Sequence, residues 1–132
     1  MICTNDNPLA LVSVSGIAED PESGSGIVLL KDLEAERFLP LIIPTMNAST
    51  LALCAKPVEG ARPSIYELLI ATIEAMGGSI VRAVISKVVD EVFYASIDIS
   101  SGRDLIRLDA TPFDAVAISI RKKVALYVAK DI

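Results

Sequence analysis

The amino-acid sequence predicts an α+β fold, with a mixed β-sheet built from hairpins and about three helices packed on it. Apolar runs of β-branched residues alternate in part with polar residues, which is typical of strands. Short turn segments separate several of these runs and indicate hairpins. Capping motifs at Ser64–Glu67 and Thr111–Asp114 mark the starts of helices between the strands.

The N-terminal half is predicted to consist mainly of strands. The first covers Leu9–Ile17, and a hairpin follows with strands at Ile27–Lys31 and Arg37–Ile43. Pro40 places the last strand at an edge or a bulge, because proline cannot donate a hydrogen bond to a ladder. A helix over Pro44–Ala55 is expected next.

The C-terminal half combines helices and strands. Its first helix follows a 3.6-residue apolar spacing and ends at Gly77. The predicted elements are the helix Pro63–Met76, the hairpin strands Ser79–Val89 and Val92–Ser100 turning at Asp90 and Glu91, the strand Asp104–Ala110, the helix Thr111–Lys123 and the strand Val124–Ala129. In the strand after the hairpin, Ile106 and Leu108 are expected inward, with Arg107 and Asp109 outward.

Length and composition favour one domain over residues 1–132, since 52% of the residues are apolar. The polar residues 1–8 are expected to be disordered. No apolar run reaches the roughly 20 residues that cross a bilayer, and the N-terminus lacks the pattern of a signal peptide. Cys3 and Cys54 form no CxxC pair and are expected as reduced thiols. A cytoplasmic protein is therefore predicted.

The charge is distributed unevenly. Residues 1–60 hold eight acidic and three basic residues, whereas residues 61–132 hold nine of each. A basic face for nucleic acid would have to come from Arg62, Arg82, Arg107, Arg121, Lys122 and Lys123. The alternative is that these are ordinary solvated charges. The chain has no histidine, so hydrolysis would depend on carboxylates, a carboxylate-bound metal or basic residues.

Three carboxylates are the candidate catalytic residues and metal ligands: Glu67, Asp109 and Asp114. Carboxylates suit Mg²⁺ or Mn²⁺, and phosphodiester hydrolysis needs stabilisation of developing negative charge. Glu67 and Asp114 also have a simpler explanation, because both occupy first helical turns, where acids cap and interact with the helix dipole. For Asp109 the alternative is a surface ion pair with Arg107.

Two arginines are the candidate substrate-binding residues. Arg62 and Arg107 could each hold a phosphate through two parallel hydrogen bonds. Arg62 also precedes a helix whose free amide groups suit an anion. The alternative for Arg62 is a buried structural arginine that satisfies loop carbonyls.

Three sequence blocks occur in a characteristic order. They are LPLII at Leu39–Ile43, RPSIYELL at Arg62–Leu69 and IRLDATPFDAVAISIRKKVALYV at Ile106–Val128. Together they resemble the bifunctional nuclease domain family over roughly residues 9–129. The resemblance implies an α+β fold, self-association and a nuclease that acts on DNA and RNA.

The chain departs from the pattern of this family at several polar positions. The positions concerned in this chain are Asn47, Tyr66, Glu67, Thr111 and Phe113. The family pattern has glutamate, histidine, aspartate, arginine and serine there, in that order. It shares Arg62, Pro63, Asp109, Pro112 and Asp114 with this chain. If the polar positions serve catalysis, this member is impaired. The alternative function is a non-catalytic regulatory or scaffolding homodimer, with the substituted aromatic residues serving packing.

A homo-oligomer, most simply a twofold dimer, is expected from the surplus of apolar residues. A chain of this length buries only about two-thirds of its unfolded surface. The remaining Val, Ile and Leu side chains favour an interface. The strands that begin at Leu9 and contain Pro40 are expected to offer apolar edges for it. The alternative is a tightly packed monomer.

Overall fold

The computed structural model describes residues 8–19, 22, 25–44 and 62–132. In these ranges it contains seven strands and two helices packed on one mixed sheet, which confirms the predicted fold class. The elements are β1 (Leu9–Glu19), β2 (Ser25–Asp32), β3 (Phe38–Pro44), α1 (Ile65–Ala75), β4 (Gly78–Val89), β5 (Val92–Ser101), β6 (Asp104–Ala110), α2 (Pro112–Lys122) and β7 (Ala125–Ala129). No helix in these ranges has the length and apolar character needed to span a bilayer.

The strand order is β3-β2-β1-β7-β4-β5-β6. Neighbouring strands are antiparallel except β4 and β7, which pair in parallel. The prediction that the strand from Leu9 lies at an edge is wrong, because β1 pairs with β2 on one side and with β7 on the other. Pro40 does lie in an edge strand, β3, as predicted.

Some predictions concern residues outside the described ranges. They include Cys3, Cys54, Asn47 and residues 1–7. Most of the helix predicted after β3 also lies outside these ranges, and its expected first residue, Pro44, is instead the last residue of β3. Pro8 is held in place by a hydrogen bond, since its carbonyl accepts from the amide of Lys130 at 2.9 Å.

The core lies between one face of the sheet and the two helices. Helix α2 is buried on every side over five consecutive residues, Ala115–Ser119, a pattern typical of a central helix. It belongs to one hydrophobic core together with sheet residues such as Leu30, Ile85 and Ile97. The polar Ser119 is tolerated there because its hydroxyl donates to the carbonyl of Val116 at 2.7 Å.

Both predicted capping residues are confirmed. The hydroxyl of Ser64 accepts from the amide of Glu67 at 3.3 Å, and that of Thr111 accepts from the amide of Asp114 at 3.1 Å. Gly77 ends α1 with a φ of 92°, a conformation that costs glycine little. Gly78 follows, and a Cβ atom at this position would lie 3.1 Å from the side chains of Ile73 and Ile99.

Strand β6 differs from its prediction in one respect. Ile106 packs against the core as expected, but Leu108 is 44% exposed. The reason is that β6 is the outermost strand of the sheet, so one flank of each of its side chains lacks a neighbouring strand.

A buried carboxylate links three strands. Asp98 of β5 is fully buried on the sheet face opposite Ile97. Its oxygens accept hydrogen bonds from Nε of Arg82 in β4 and from Nε of Arg107 in β6, the latter at 2.8 Å. Burial opposes ionisation of Asp98, but the hydrogen bonds and charges of the two arginines outweigh it and hold the pKa of this carboxyl below its usual 3.8.

The Thr111 cap predicts a measurable loss of stability. Thr111→Ala is expected to lower the free energy of unfolding by about 1 kcal/mol, because the amide of Asp114 loses its acceptor. Thr72→Ala is the matched control, since it removes a hydroxyl inside α1, where alanine has the higher helix propensity. Urea unfolding measures both, and equal losses for the two variants would contradict the capping role.

The Asp98 cluster predicts a pH-dependent contribution to stability. At pH 7, Asp98→Asn is expected to cost about 3–5 kcal/mol, because two arginines lose their buried counter-ion. The folded-state pKa is depressed, so the contribution of Asp98 is present above its unfolded pKa of 3.8 and is lost as pH falls through the folded value.

The measurement is urea unfolding of wild type and variant from pH 7 to pH 2. The difference between the two curves should begin to shrink below about pH 4 and continue to shrink toward pH 2, because the folded-state pKa of Asp98 lies below its unfolded value. Asp104→Asn, which changes an exposed acid of β6, should match wild type throughout. A difference for Asp98→Asn that does not shrink in acid would refute the assignment.

Candidate active site

A groove of about 1040 Å³ opens where β6 leads into α2. Its lining residues are Leu41, Ile42, Tyr66, Glu91, Val92, Phe93, Tyr94, Asp109, Ala110, Thr111, Pro112, Phe113 and Asp114. These residues come from β3, α1, the β4–β5 hairpin, β6 and the start of α2. The described part of this lining contains three carboxylates and neither lysine nor arginine.

Asp114 is held in a defined orientation at the groove. The hydroxyl of Tyr66 donates to its Oδ1 at 2.8 Å, which links α1 to the first turn of α2. The ring of Tyr66 also meets that of Phe113 edge to face, with centroids 6.2 Å apart. The carboxylate is thus positioned by a neighbouring helix as well as by its own.

Asp109 lies on β6, two residues before Thr111, and is exposed. Asp109 and Asp114 line the groove together, and both also line a smaller cavity of about 270 Å³ between α1 and β6. Two of the three predicted carboxylates therefore line the same groove.

The third carboxylate, Glu67, is directed elsewhere. Its Oε1 lies 3.5 Å from Nη2 of Arg121, in the last turn of α2. Within the described ranges, no group of three or more His, Cys, Asp or Glu side chains is placed to hold a metal ion. A divalent cation in the groove would be held by Asp109 and Asp114, a number of carboxylates that suits Mg²⁺ when substrate phosphate and water complete its shell.

The two predicted phosphate-binding arginines are not among the groove's lining residues. Arg62 is exposed just before α1, so the alternative of a buried structural arginine is wrong. Arg107 directs Nε and Nη2 to Asp98 on the neighbouring strand. Their role in binding a substrate stays a prediction.

Two groove residues were not identified from the sequence. Glu91 was recognised as part of a turn, and both it and Asp90 adopt positive φ, at 65° and 51°. The turn reaches the groove because β5 pairs antiparallel with β6, which places the start of β5 beside the end of β6. Tyr66 was assigned to packing, but its hydroxyl bond to Asp114 requires the two helix starts to meet.

Comparison with known proteins adds to this geometry. The sequence profile of the bifunctional nuclease domain matches residues 28–132. An uncharacterized protein of Mycobacterium tuberculosis is 33% identical over 117 residues, which is 89% of this chain and 70% of that protein.

Plant relatives are similar over a smaller share of their own length. Bifunctional nuclease 2 of Oryza sativa subsp. japonica is 31% identical over 85% of this chain and 36% of its own. Bifunctional nuclease 1 of Arabidopsis thaliana is 26% identical over 97% of this chain and 39% of its own. The profile match covers most of the chain and agrees with the three sequence blocks, so this chain belongs to the bifunctional nuclease domain family.

Proposed function

We propose that the protein is a weak, divalent-metal-dependent nuclease that hydrolyses phosphodiester bonds of DNA or RNA in this groove. The observation that carries the proposal is that Asp109 and Asp114 line one groove together. The plant relatives, which are named bifunctional nucleases, support it. Those relatives match over less than half of their length, so the activity of the whole plant proteins is used here only as support.

The charge of the groove supports the need for a metal. A phosphodiester is anionic, and the described lining presents Glu91, Asp109 and Asp114 without a lysine or arginine. Like charges in a partly enclosed groove repel the substrate. Mg²⁺ or Mn²⁺ held by the two aspartates would remove this repulsion. When bound, such an ion supplies Lewis-acid polarisation of the phosphate and a more acidic water.

The chain's own residues prepare the site but provide little acid–base catalysis. Tyr66 fixes the Asp114 carboxylate, and Phe93 and Phe113 supply apolar walls that limit water near it. The sequence has no histidine to act as a base near neutral pH. Glu67 pairs with Arg121 and is therefore not available in the groove as a third carboxylate. We therefore expect slow turnover.

One observation favours a second candidate, a non-catalytic regulatory or scaffolding role. Tyr66 and Phe113 stand where the family pattern has histidine and serine, and their rings contact each other. This aromatic contact fills space that two polar side chains would leave to water and substrate. A protein that keeps the fold and binds without cleaving would show this substitution pattern.

Removal of one groove carboxylate tests the nuclease proposal. Asp109→Asn is expected to reduce metal-dependent cleavage about 100-fold or more, since it removes an anionic ligand. Its melting temperature should stay close to that of wild type, because Asp109 is exposed. The assay uses purified protein with single-stranded and duplex DNA and RNA, in Mg²⁺, in Mn²⁺ and with a chelator.

Asp104→Asn is the matched control, because it neutralises an exposed acid on the same strand but outside the groove. It should cleave as wild type does. Cleavage that persists in Asp109→Asn, or that a chelator leaves unchanged, would refute the proposal. A wild-type protein that binds these nucleic acids without cleaving them would favour the second candidate.

A further inference from the structure

The cavity of about 270 Å³ between α1 and β6 adjoins the groove. Both spaces are lined by Tyr66, Asp109, Ala110 and Asp114. They therefore meet at the two carboxylates that the proposed function assigns to a metal ion. The remaining lining residues of the cavity are aliphatic: Ile65, Leu69, Ile97, Leu108 and Ile118.

The walls of this cavity are apolar side chains that α1 and β6 leave exposed. Ile65 and Leu69 lie one helical turn apart on the same side of α1, and they are 70% and 39% exposed. Leu108 lines the cavity from β6 and is 44% exposed. Large apolar side chains that remain exposed around one recess are typical of a site that the apolar surface of a ligand covers.

The floor of the cavity is formed by the hydrophobic core. Ile97 of β5 and Ile118 of α2 line it and are 4% and 1% exposed. Among the described residues, the lining includes neither lysine nor arginine, and the hydroxyl of Tyr66 donates to Asp114. The cavity itself is therefore unsuited to a phosphate and suited to an uncharged group with apolar faces.

The size of the cavity limits what it can hold. Pockets for drug-sized ligands begin at roughly 300 Å³. The cavity is slightly smaller, at about 270 Å³, so it accommodates a single flat ring system rather than a polymer backbone. The groove, at about 1040 Å³, has room for the backbone.

We propose that this cavity binds one unpaired nucleobase of a single-stranded DNA or RNA substrate, next to the phosphodiester bond in the groove. The ring faces of the base contact Leu69 and Leu108, and its sugar connects it to the phosphate beside Asp109 and Asp114. The inference rests on the proposed function, because the phosphate in the groove determines which group reaches the cavity.

Two properties of the substrate preference follow from this arrangement. A base in a duplex is stacked and paired, so it must be extruded before it can enter the cavity, and this costs free energy. The protein should therefore favour single strands. Its aliphatic walls contact the ring faces that all bases have in common, so the preference for one base over another should be weak.

Binding to strands with and without bases tests the inference. Fluorescence anisotropy in Mg²⁺ measures dissociation constants for phosphorothioate strands, which resist hydrolysis. The probes are a single-stranded oligonucleotide, the corresponding duplex, and a strand of equal length made of abasic sugar–phosphate units. Wild-type protein is expected to bind the base-containing single strand about 10-fold more tightly than either of the other probes.

Leu69→Asn changes the cavity without changing the described lining of the groove. It should weaken binding of the base-containing single strand about 5-fold, because apolar contact is lost, and leave binding of the abasic strand unchanged. Leu108→Asn tests the opposite wall and should have the same effect. The matched control is Leu68→Asn, since Leu68 is 53% exposed on the same helix but lies outside the cavity lining, and it should bind both strands as wild type does.

Three results would overturn the inference: equal binding of the base-containing and abasic strands by wild type, a duplex bound as tightly as the single strand, or a Leu69→Asn variant that affects both strands equally. Failure to bind any of the probes would overturn both the inference and the nuclease proposal.

Cleavage of ordinary phosphodiester strands separates the two proposals. If wild type cleaves them and Leu69→Asn binds and cleaves as Leu68→Asn does, only the base site is wrong. If base-dependent binding is present and Leu69→Asn weakens it, but wild type cleaves no strand, the base site is correct and the nuclease proposal is wrong.

Discussion

Burial of α2 on every side is the constraint on which the rest of the structure depends. Over Ala115–Ser119 every side of the helix is buried, so close packing fixes the position of the helix axis against the sheet. Its first turn is fixed in consequence, with Thr111 satisfying an amide that the helix leaves unpaired. This places Asp114 at the groove, where Tyr66 of the neighbouring helix reaches it. The geometry of the candidate site therefore follows from the packing of one central helix.

Asp98 makes the second essential contribution, on the other face of the sheet. A buried carboxylate is costly unless its charge and its oxygens are both satisfied, and two arginines from the flanking strands do this. The same cluster ties β4, β5 and β6 together and determines where the positive charge of Arg107 lies. The cluster therefore stabilises the sheet and also fixes the position of a positive charge on its edge strand β6, near Asp109 and the groove.

The groove illustrates how local and tertiary effects combine at one site. Glu67 and Asp114 occupy equivalent positions in the first turns of their helices, and the sequence gives both the same capping explanation. Packing separates them, because Glu67 faces Arg121 whereas Asp114 faces Tyr66. Membership of the bifunctional nuclease domain family explains the shared framework. The contact between the rings of Tyr66 and Phe113 in this groove involves two positions at which the chain departs from the family pattern.

The sequence by itself determined the α+β class, most strand and helix positions, the Ser64 and Thr111 caps and the turn at Asp90, because periodicity and capping depend on residues close together in the chain. Only the tertiary structure decided that β7 inserts between β1 and β4, that Asp98 is buried and that Leu108 is exposed. It also decided that Glu91 joins Asp109 and Asp114 at the groove. These features depend on which distant strands pair and on what packs over them, and a single side chain carries no local signal of either.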